Sequence, residues 1–325
     1  MLAYDSLSQH KGCLALECAD MIESKHYETG FVLSIVARSY FENNQYKKAC
    51  EIFKKIRQME PYRVDCMDLY ATCLWHIKDK VELSLLGKDL EEYHREYPET
   101  WCAIGNYFSL LQEHESAIEA FKRAIQLNSL FTYAHTLLGH EYVANDDLDL
   151  AAKCFQKAIQ IDHRHYNAIF GLGIIEQKQE KYTLAAFHFR NALSISPNNP
   201  ILLDSLATVL QKNPNNYQEA LMLYKRAVKT SPHQKIFILH LSKLLYQMGE
   251  YETVIEILEN ELKVGKPETS IYFILGKTYA KVGRDHDAIT ALTLAQDYQE
   301  HKPSSLIKDA LESLFLDEED PMDSF

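Results

Sequence analysis

Residues 135–142 read HTLLGHEY, and the same wording stands one period upstream as WCAIGNYF (101–108) and one period downstream as IFGLGIIE (169–176). The three starts lie 34 residues apart, and each block sets an apolar residue and a glycine at one offset: Ile104 and Gly105, Leu138 and Gly139, Leu172 and Gly173. An aromatic closes the first two blocks, Phe108 and Tyr142, where the third has Glu176. Further along each period come a small residue, an aromatic and an alanine: Ala117, Phe121 and Ala124; Ala151, Phe155 and Ala158; Ala185, Phe189 and Ala192. The paired histidines therefore read as repeat positions. A helix turns about 100° per residue, so five steps put His135 and His140 roughly 140° apart, too far for one metal ion on a straight helix. His135 takes the packing slot of Trp101 and Ile169, and His140 follows the glycine on the first-helix face.

Written three times in register, this is the tetratricopeptide signature W-x2-L-G-x2-Y…A-x3-F…P. The phase continues both ways. Leu33, Ala37, Tyr40, Ala49, Phe53 and Pro61 fill an earlier repeat, and Met67, Tyr70, Ala71 and Leu74 belong to a degenerate one without a clean Ala/Phe/Ala in its second helix. Downstream, Leu203, Leu206, Ala207 and Leu210 keep the phase, and one extra residue near NPNN shifts Ala220, Tyr224, Ala227 and Pro232 by one. Ile238, Leu241, Leu245, Val254 and Leu258 form a weaker repeat; Tyr272, Leu275, Gly276, Tyr279, Ala288, Leu292 and Ala295 form a last good one. The predicted fold is all-α, a right-handed superhelical solenoid of helix-turn-helix repeats with a concave inner surface. Expected boundaries are a shortened N-terminal helical cap over 1–27, an array of about eight repeats over 28–300, a C-terminal helix over 301–313 and an acidic disordered tail over 314–325.

Composition agrees with helices: only 11 Gly and 9 Pro stand among 325 residues that include 20 Tyr and 14 Phe. The net charge of −12 opposes nonspecific nucleic-acid binding, which needs a Lys/Arg surplus, and suits protein or basic-peptide partners. Seven cysteines, at 13, 18, 50, 66, 73, 102 and 154, form no CxxC, as expected of a reduced, intracellular chain. The first residues predict no secretory signal, and no apolar run predicts a membrane span.

Catalytic and metal motifs are not completed. GLG at 171–173 falls inside a helix and belongs to neither GxGxxG nor GxxxxGK[ST]; no GxSxG occurs; HRHY at 163–166 sits at a repeat junction with spacing unsuited to zinc. We expect no enzyme activity, no cofactor and no metal. A chaperone-tail adaptor would need a Lys/Arg clamp, but beside Asn106 the corresponding positions are Cys102, Leu137, Asn167 and Gly171.

The wording goes beyond a general repeat. PETWCAIGNYFSLLQEHESAIEAFKRAIQL (98–127), YAHTLLGHEYV (133–143) and HRHYNAIFGLGIIEQKQEKY (163–182) resemble the tetratricopeptide scaffold subunit of the anaphase-promoting complex, the BimA-like cell-division-cycle family. YRVDCMDLYATCLWHIKD (62–79) and LLGKDL (85–90) resemble it where the general signature fails. The resemblance implies a non-catalytic subunit of a multisubunit ubiquitin ligase, in nucleus and cytoplasm, assembled with other subunits of that complex and acting in mitosis and cell division. It implies capture of a C-terminal Ile-Arg tail, on a coactivator or a small core subunit, in the concave groove. Relatives also carry an amino-terminal homodimerising repeat domain that is not matched here, which leaves dimerisation open.

Helix phase puts Glu99, Cys102, Asn106 and Ser109, then Tyr133, Thr136, His140 and Val143, then Asn167, Phe170 and Ile174 on the inner face. For such a tail, Asn106 and Asn167 are candidates for the carboxylate, Glu99 or Glu141 for the guanidinium, and Phe170 with Ile174 for the isoleucine.

Overall fold

The structure is a computed structural model that describes residues 6–7, 12–21, 29–232, 234–264, 268–298, 307 and 310. Regular structure among the described residues is helical throughout. The chain divides into two compact units, Met1–Leu202 and Leu203–Phe325.

In the first unit, α1 (Gly12–Asp20) precedes five helical hairpins: α2 (Gly30–Glu42) with α3 (Tyr46–Met59), α4 (Met67–Ile77) with α5 (Lys80–Tyr93), α6 (Pro98–Leu110) with α7 (His114–Leu127), α8 (Thr132–Ala144) with α9 (Leu148–Ile161), and α10 (Tyr166–Lys178) with α11 (Tyr182–Ile195). The small residues of the signature sit where the helices of a hairpin touch. A Cβ added at Gly139 would stand 2.6 Å from Cε1 of Phe155, and one at Gly171 of the next hairpin would collide with the same ring. Phe155 is fully buried between those two backbones, flanked by Ala151 and Ala158, which are buried too. One aromatic thus fixes the spacing within a hairpin and to its successor.

The turn inside each hairpin is equally periodic. Asn44, Lys78, Gln112, Asp146 and Glu180 each adopt a left-handed backbone, with φ between 57° and 65°. The reversal requires that conformation once per repeat, although none of the five is glycine.

The degenerate hairpin has a physical account. Leu83 and Leu90 fill its alanine slots, Gly87 fills the aromatic slot, and both leucines are buried. With bulk in the slots meant for close approach, α4 packs more extensively against α6 than against its own partner α5. The lost aromatic is replaced from the other side by Tyr70, whose fully buried ring lies 5.5 Å from that of Phe53.

The second unit takes the remainder of α12 (Pro200–Leu210), α13 (Tyr217–Thr230), α14 (Lys235–Met248), α15 (Tyr251–Val264), α16 (Thr269–Val282) and α17 (Asp285–Asp297). The extra residue seen near NPNN is absorbed by a 3-10 turn, Pro214–Asn216, ahead of α13. Gly249 and Gly283 hold the left-handed turn positions here. On the inner helices Nδ1 of His240 lies 2.9 Å from both carboxylate oxygens of Asp204, and the buried Tyr224 shares its hydroxyl with Thr208 and Gln211. The expected N-terminal cap is described only in part, through α1, and the expected C-terminal helix only at Ile307 and Ala310; the acidic tail lies outside the described residues.

Candidate functional site

Stacking the hairpins one period apart stacks their inner-face side chains into columns. Thr72, Asn106, His140 and Ile174 form one of them. Nδ2 of Asn106 donates to Oγ1 of Thr72 at 3.0 Å, and the hydroxyl of Tyr133 donates to the same oxygen at 2.9 Å. Thr72 in turn donates to the carbonyl of Asp68 at 3.0 Å, so its single hydrogen and both lone pairs are used. In a neighbouring column Nε1 of Trp75 donates to Oγ of Ser109 at 3.1 Å, Ser109 donates to Oε1 of Glu141, and Nδ1 of His114 lies 2.9 Å from Oε2 of Glu141. Each oxygen of the buried Glu141 side chain thus has one partner and keeps a second lone pair.

These columns line a cavity of about 530 Å³ within the first unit. Its opposite wall comes from Phe41, Asn44 and Tyr46 of the first hairpin and from Tyr166, Asn199 and Leu202. That wall is joined by polar contacts between residues far apart in sequence: the hydroxyl of Tyr166 donates to Oε2 of Glu42 at 3.3 Å, and Nδ2 of Asn44 donates to Oδ1 of Asn199 at 3.5 Å. Aromatic rings crowd one end. Tyr46 stacks on His76 with centroids 4.0 Å apart, and Trp75 meets His76 edge-on at 5.1 Å.

Burial sets the charge states. It pushes His76 down to about 4, and it pushes His140 down to about 4 with help from His165 and His76, so both imidazoles are neutral near pH 7. Burial raises Tyr46, Tyr133 and Tyr166, whose phenols stay protonated donors. Among the described residues no Lys or Arg lines the cavity, and Glu141 is the acidic side chain in its lining. The site is thus a roomy, aromatic-walled space with amide and hydroxyl groups and one acidic side chain, Glu141.

Of the residues predicted for the groove, Asn106, Ser109, Tyr133, Thr136, His140, Glu141, Asn167, Phe170 and Ile174 line this cavity. Three do not. Cys102 is wholly buried and Val143 nearly so, both in the core cluster between hairpins with Ala134 and Phe155. The first-helix seam closes over Cys102, and Val143 is turned into the core on the flank of α8. Glu99 lines a separate cavity at the first turn of α6. His135 is a packing residue, with Nε2 3.0 Å from the carbonyl of Ser129. Among the described residues no group of three or more His, Cys, Asp or Glu is placed to hold a metal ion, and no helix is long and apolar enough to cross a membrane.

Sequence reading missed Thr72, Trp75 and Ile201 in the lining, although one further step of the period from Asn106, Ser109 and Asn167 reaches each. Asn44, Tyr46, His76, Tyr166 and Asn199 carried no such signal, because the opposite wall forms only when distant hairpins meet.

Tetratricopeptide-repeat family models match residues 33–61, 98–129 and 136–200, and a model described as anaphase-promoting complex, cyclosome, subunit 3 matches residues 213–294. Anaphase-promoting complex subunit 3 of Schizosaccharomyces pombe is 34% identical over 96% of this chain, and its Dictyostelium discoideum counterpart is 41% identical over 95%. This chain is a homologue of anaphase-promoting complex subunit 3. It spans 47% of the length of the first of those subunit-3 relatives and 32% of the second. A crystal structure of the APC/C hetero-tetramer Cut9-Hcn1 matches 95% of this chain and 62% of that one with a TM-score of 0.75; at 18% identity it shows the shared repeat fold. Similarity to subunit 3 therefore extends over both units, including the degenerate α4–α5 hairpin, whereas the family model for that subunit matches the second unit.

Proposed function

We propose that this chain is a non-catalytic scaffold and peptide-binding subunit of an anaphase-promoting complex, working in nucleus and cytoplasm, and that its first unit captures the C-terminal Ile-Arg tail of a coactivator or core subunit. The observation that supports this most is the composition of the 530 Å³ cavity: amide donors, an apolar stretch and one buried carboxylate together, with no Lys or Arg. Asn167 is partly exposed and is the more available amide; Asn106 is buried and spends part of its Nδ2 on Thr72. These two receive the tail carboxylate, Phe170 and Ile174 receive the isoleucine, and Glu141 meets the guanidinium. Glu99, outside this cavity, is not needed for that role.

A carboxylate held by neutral amides rather than by a cation binds modestly, so capture in the assembled complex relies on a second contact elsewhere and the resulting effective concentration. The test is titration of a fluorescent peptide ending in Ile-Arg against the chain, with an amidated peptide as control. Binding is expected to require the free carboxylate and to weaken about tenfold in Asn167→Ala. Equal binding of the amidated peptide would sink this reading and leave a structural spacer.

A further inference from the structure

Charge is sorted between inner and outer helices in the second unit. The inner helices α14 (KIFILHLSKLLYQM) and α16 (TSIYFILGKTYAKV) touch directly and contain no Asp or Glu. The outer α15 carries Glu252, Glu256, Glu259 and Glu261, and α17 carries Asp285, Asp287 and Asp297. In a chain whose net charge is −12, the acid-free pair leaves a local positive face. Period arithmetic identifies its cations. The inner-face positions Thr72, Asn106 and His140 of the first unit recur in the second, with the extra residue counted, as Thr208, Lys243 and Lys277.

Lys243 and Lys277 are exposed, as is Lys281 one turn beyond Lys277. Among the described residues none of the three pairs with a carboxylate, and Nζ of Lys277 rests over the Phe273 ring, 5.4 Å from its centroid. The acids bordering this face have partners of their own. Asp204 of α12 takes Nδ1 of His240 at 2.9 Å, and Glu268 ahead of α16 lies 3.9 Å from Lys235. Ile236, 48% exposed, stands two turns before Lys243 on the same side of α14. Lysines without acidic neighbours, set beside exposed apolar surface, are complementary to a segment that is both acidic and apolar.

The chain itself contains such a segment. Leu314, Phe315 and Leu316 run straight into Asp317, Glu318, Glu319 and Asp320. Ala310 is a partly buried helical residue of the same unit. The stretch from it to Asp320 reaches about 30 Å when extended, against about 10 Å between neighbouring packed helices. We propose that residues 314–325 dock on the inner face of α14 and α16, with their acids against Lys243, Lys277 and Lys281 and their apolar residues against Phe273 and Ile236. Tethering supplies a high effective concentration, so exposed ion pairs of modest strength hold the segment in place. The docked segment screens this face from acidic segments of other proteins. None of these residues lines the central cavity.

The experiment is fluorescence-polarisation titration of a labelled peptide, SLFLDEEDPMDSF (313–325), against the full chain and against a chain shortened to end at residue 313. The shortened chain is expected to bind about tenfold more tightly, because its own segment no longer competes. In the shortened chain, Lys243→Gln combined with Lys277→Gln is expected to weaken binding about tenfold. A peptide with Asn and Gln in place of its acids is expected to lose as much. Thermal melts confirm folding of the double variant, whose two positions are exposed. Absence of binding to the shortened chain overturns the proposal, as does undiminished binding by the folded double variant. Equal affinity of the full and shortened chains overturns docking by the chain's own segment and leaves the face to an acidic segment of another protein.

Discussion

Tyr166 and Glu42 stand 124 positions apart in the chain, and the hydroxyl of Tyr166 donates to Oε2 of Glu42 at 3.3 Å. The contact joins the first hairpin of the first unit to the fifth beside the central cavity, which Tyr166 lines. Tyr166→Phe keeps the ring, which is buried with Ala192 and Leu202, and removes only the donor. We expect about 1 kcal/mol lost in urea unfolding and faster dissociation of a bound Ile-Arg peptide in stopped flow. An unchanged dissociation rate would mean that this wall does not limit exchange.

Glu141 is the buried carboxylate of the cavity, held by Ser109 and His114. Glu141→Gln retains shape and removes charge. An Ile-Arg peptide should then bind no better than an Ile-citrulline peptide, whereas the wild type should prefer arginine about tenfold. Affinity measured by fluorescence polarisation decides it, and an undiminished preference would place the guanidinium elsewhere.

Gly139 has no space for a methyl, since its added Cβ would lie 2.6 Å from a ring carbon of Phe155. The ring is itself fixed from the far side by Gly171, so it has nowhere to retreat. Gly139→Ala should destabilise by roughly 1–3 kcal/mol, against the gain that alanine normally gives inside a helix. A rise in Tm would show that the hairpin can open at little cost.

Glu180 holds φ at 60° in the turn between α10 and α11 and is exposed. Gly249 and Gly283 occupy the matching turns of the second unit. Relief of the left-handed strain outweighs the backbone entropy of glycine, so Glu180→Gly should stabilise by about 0.5–1 kcal/mol. Chemical denaturation at matched conditions measures it, and a loss of stability would refute the strain.

Acid and base act on opposite groups. Asp68 is raised to about 7, so its neutral form favours folding: that contribution is complete below the ordinary carboxylate range and is lost as pH climbs through about 7. His76 and His140 are lowered to about 4, so their contribution is complete above the ordinary imidazole value and is lost as pH falls toward 4. Asp68→Asn should therefore match the wild type near pH 4 and be more stable than it at pH 8 by a few kcal/mol at most. Melting curves across that range check the sign, and equal Tm at pH 8 would refute the raised titration of Asp68.

The period of the sequence determined the helices, their pairing and the inner columns. That information is local: a small residue at Gly139, an aromatic one helix later at Phe155 and the same spacing again are visible in a single chain, because each hairpin packs on its sequence neighbour. Thr72 and Trp75 were within reach of the same arithmetic. The tertiary structure decided what no period encodes. Cys102 passes from groove to core because first helices close over it, and Glu99 separates from Glu141 because they open into different cavities. Tyr46, Tyr166 and Asn199 become a wall because the first and fifth hairpins of one unit meet. Such contacts depend on small rotations accumulated over several repeats, and no pair of neighbouring repeats contains that sum.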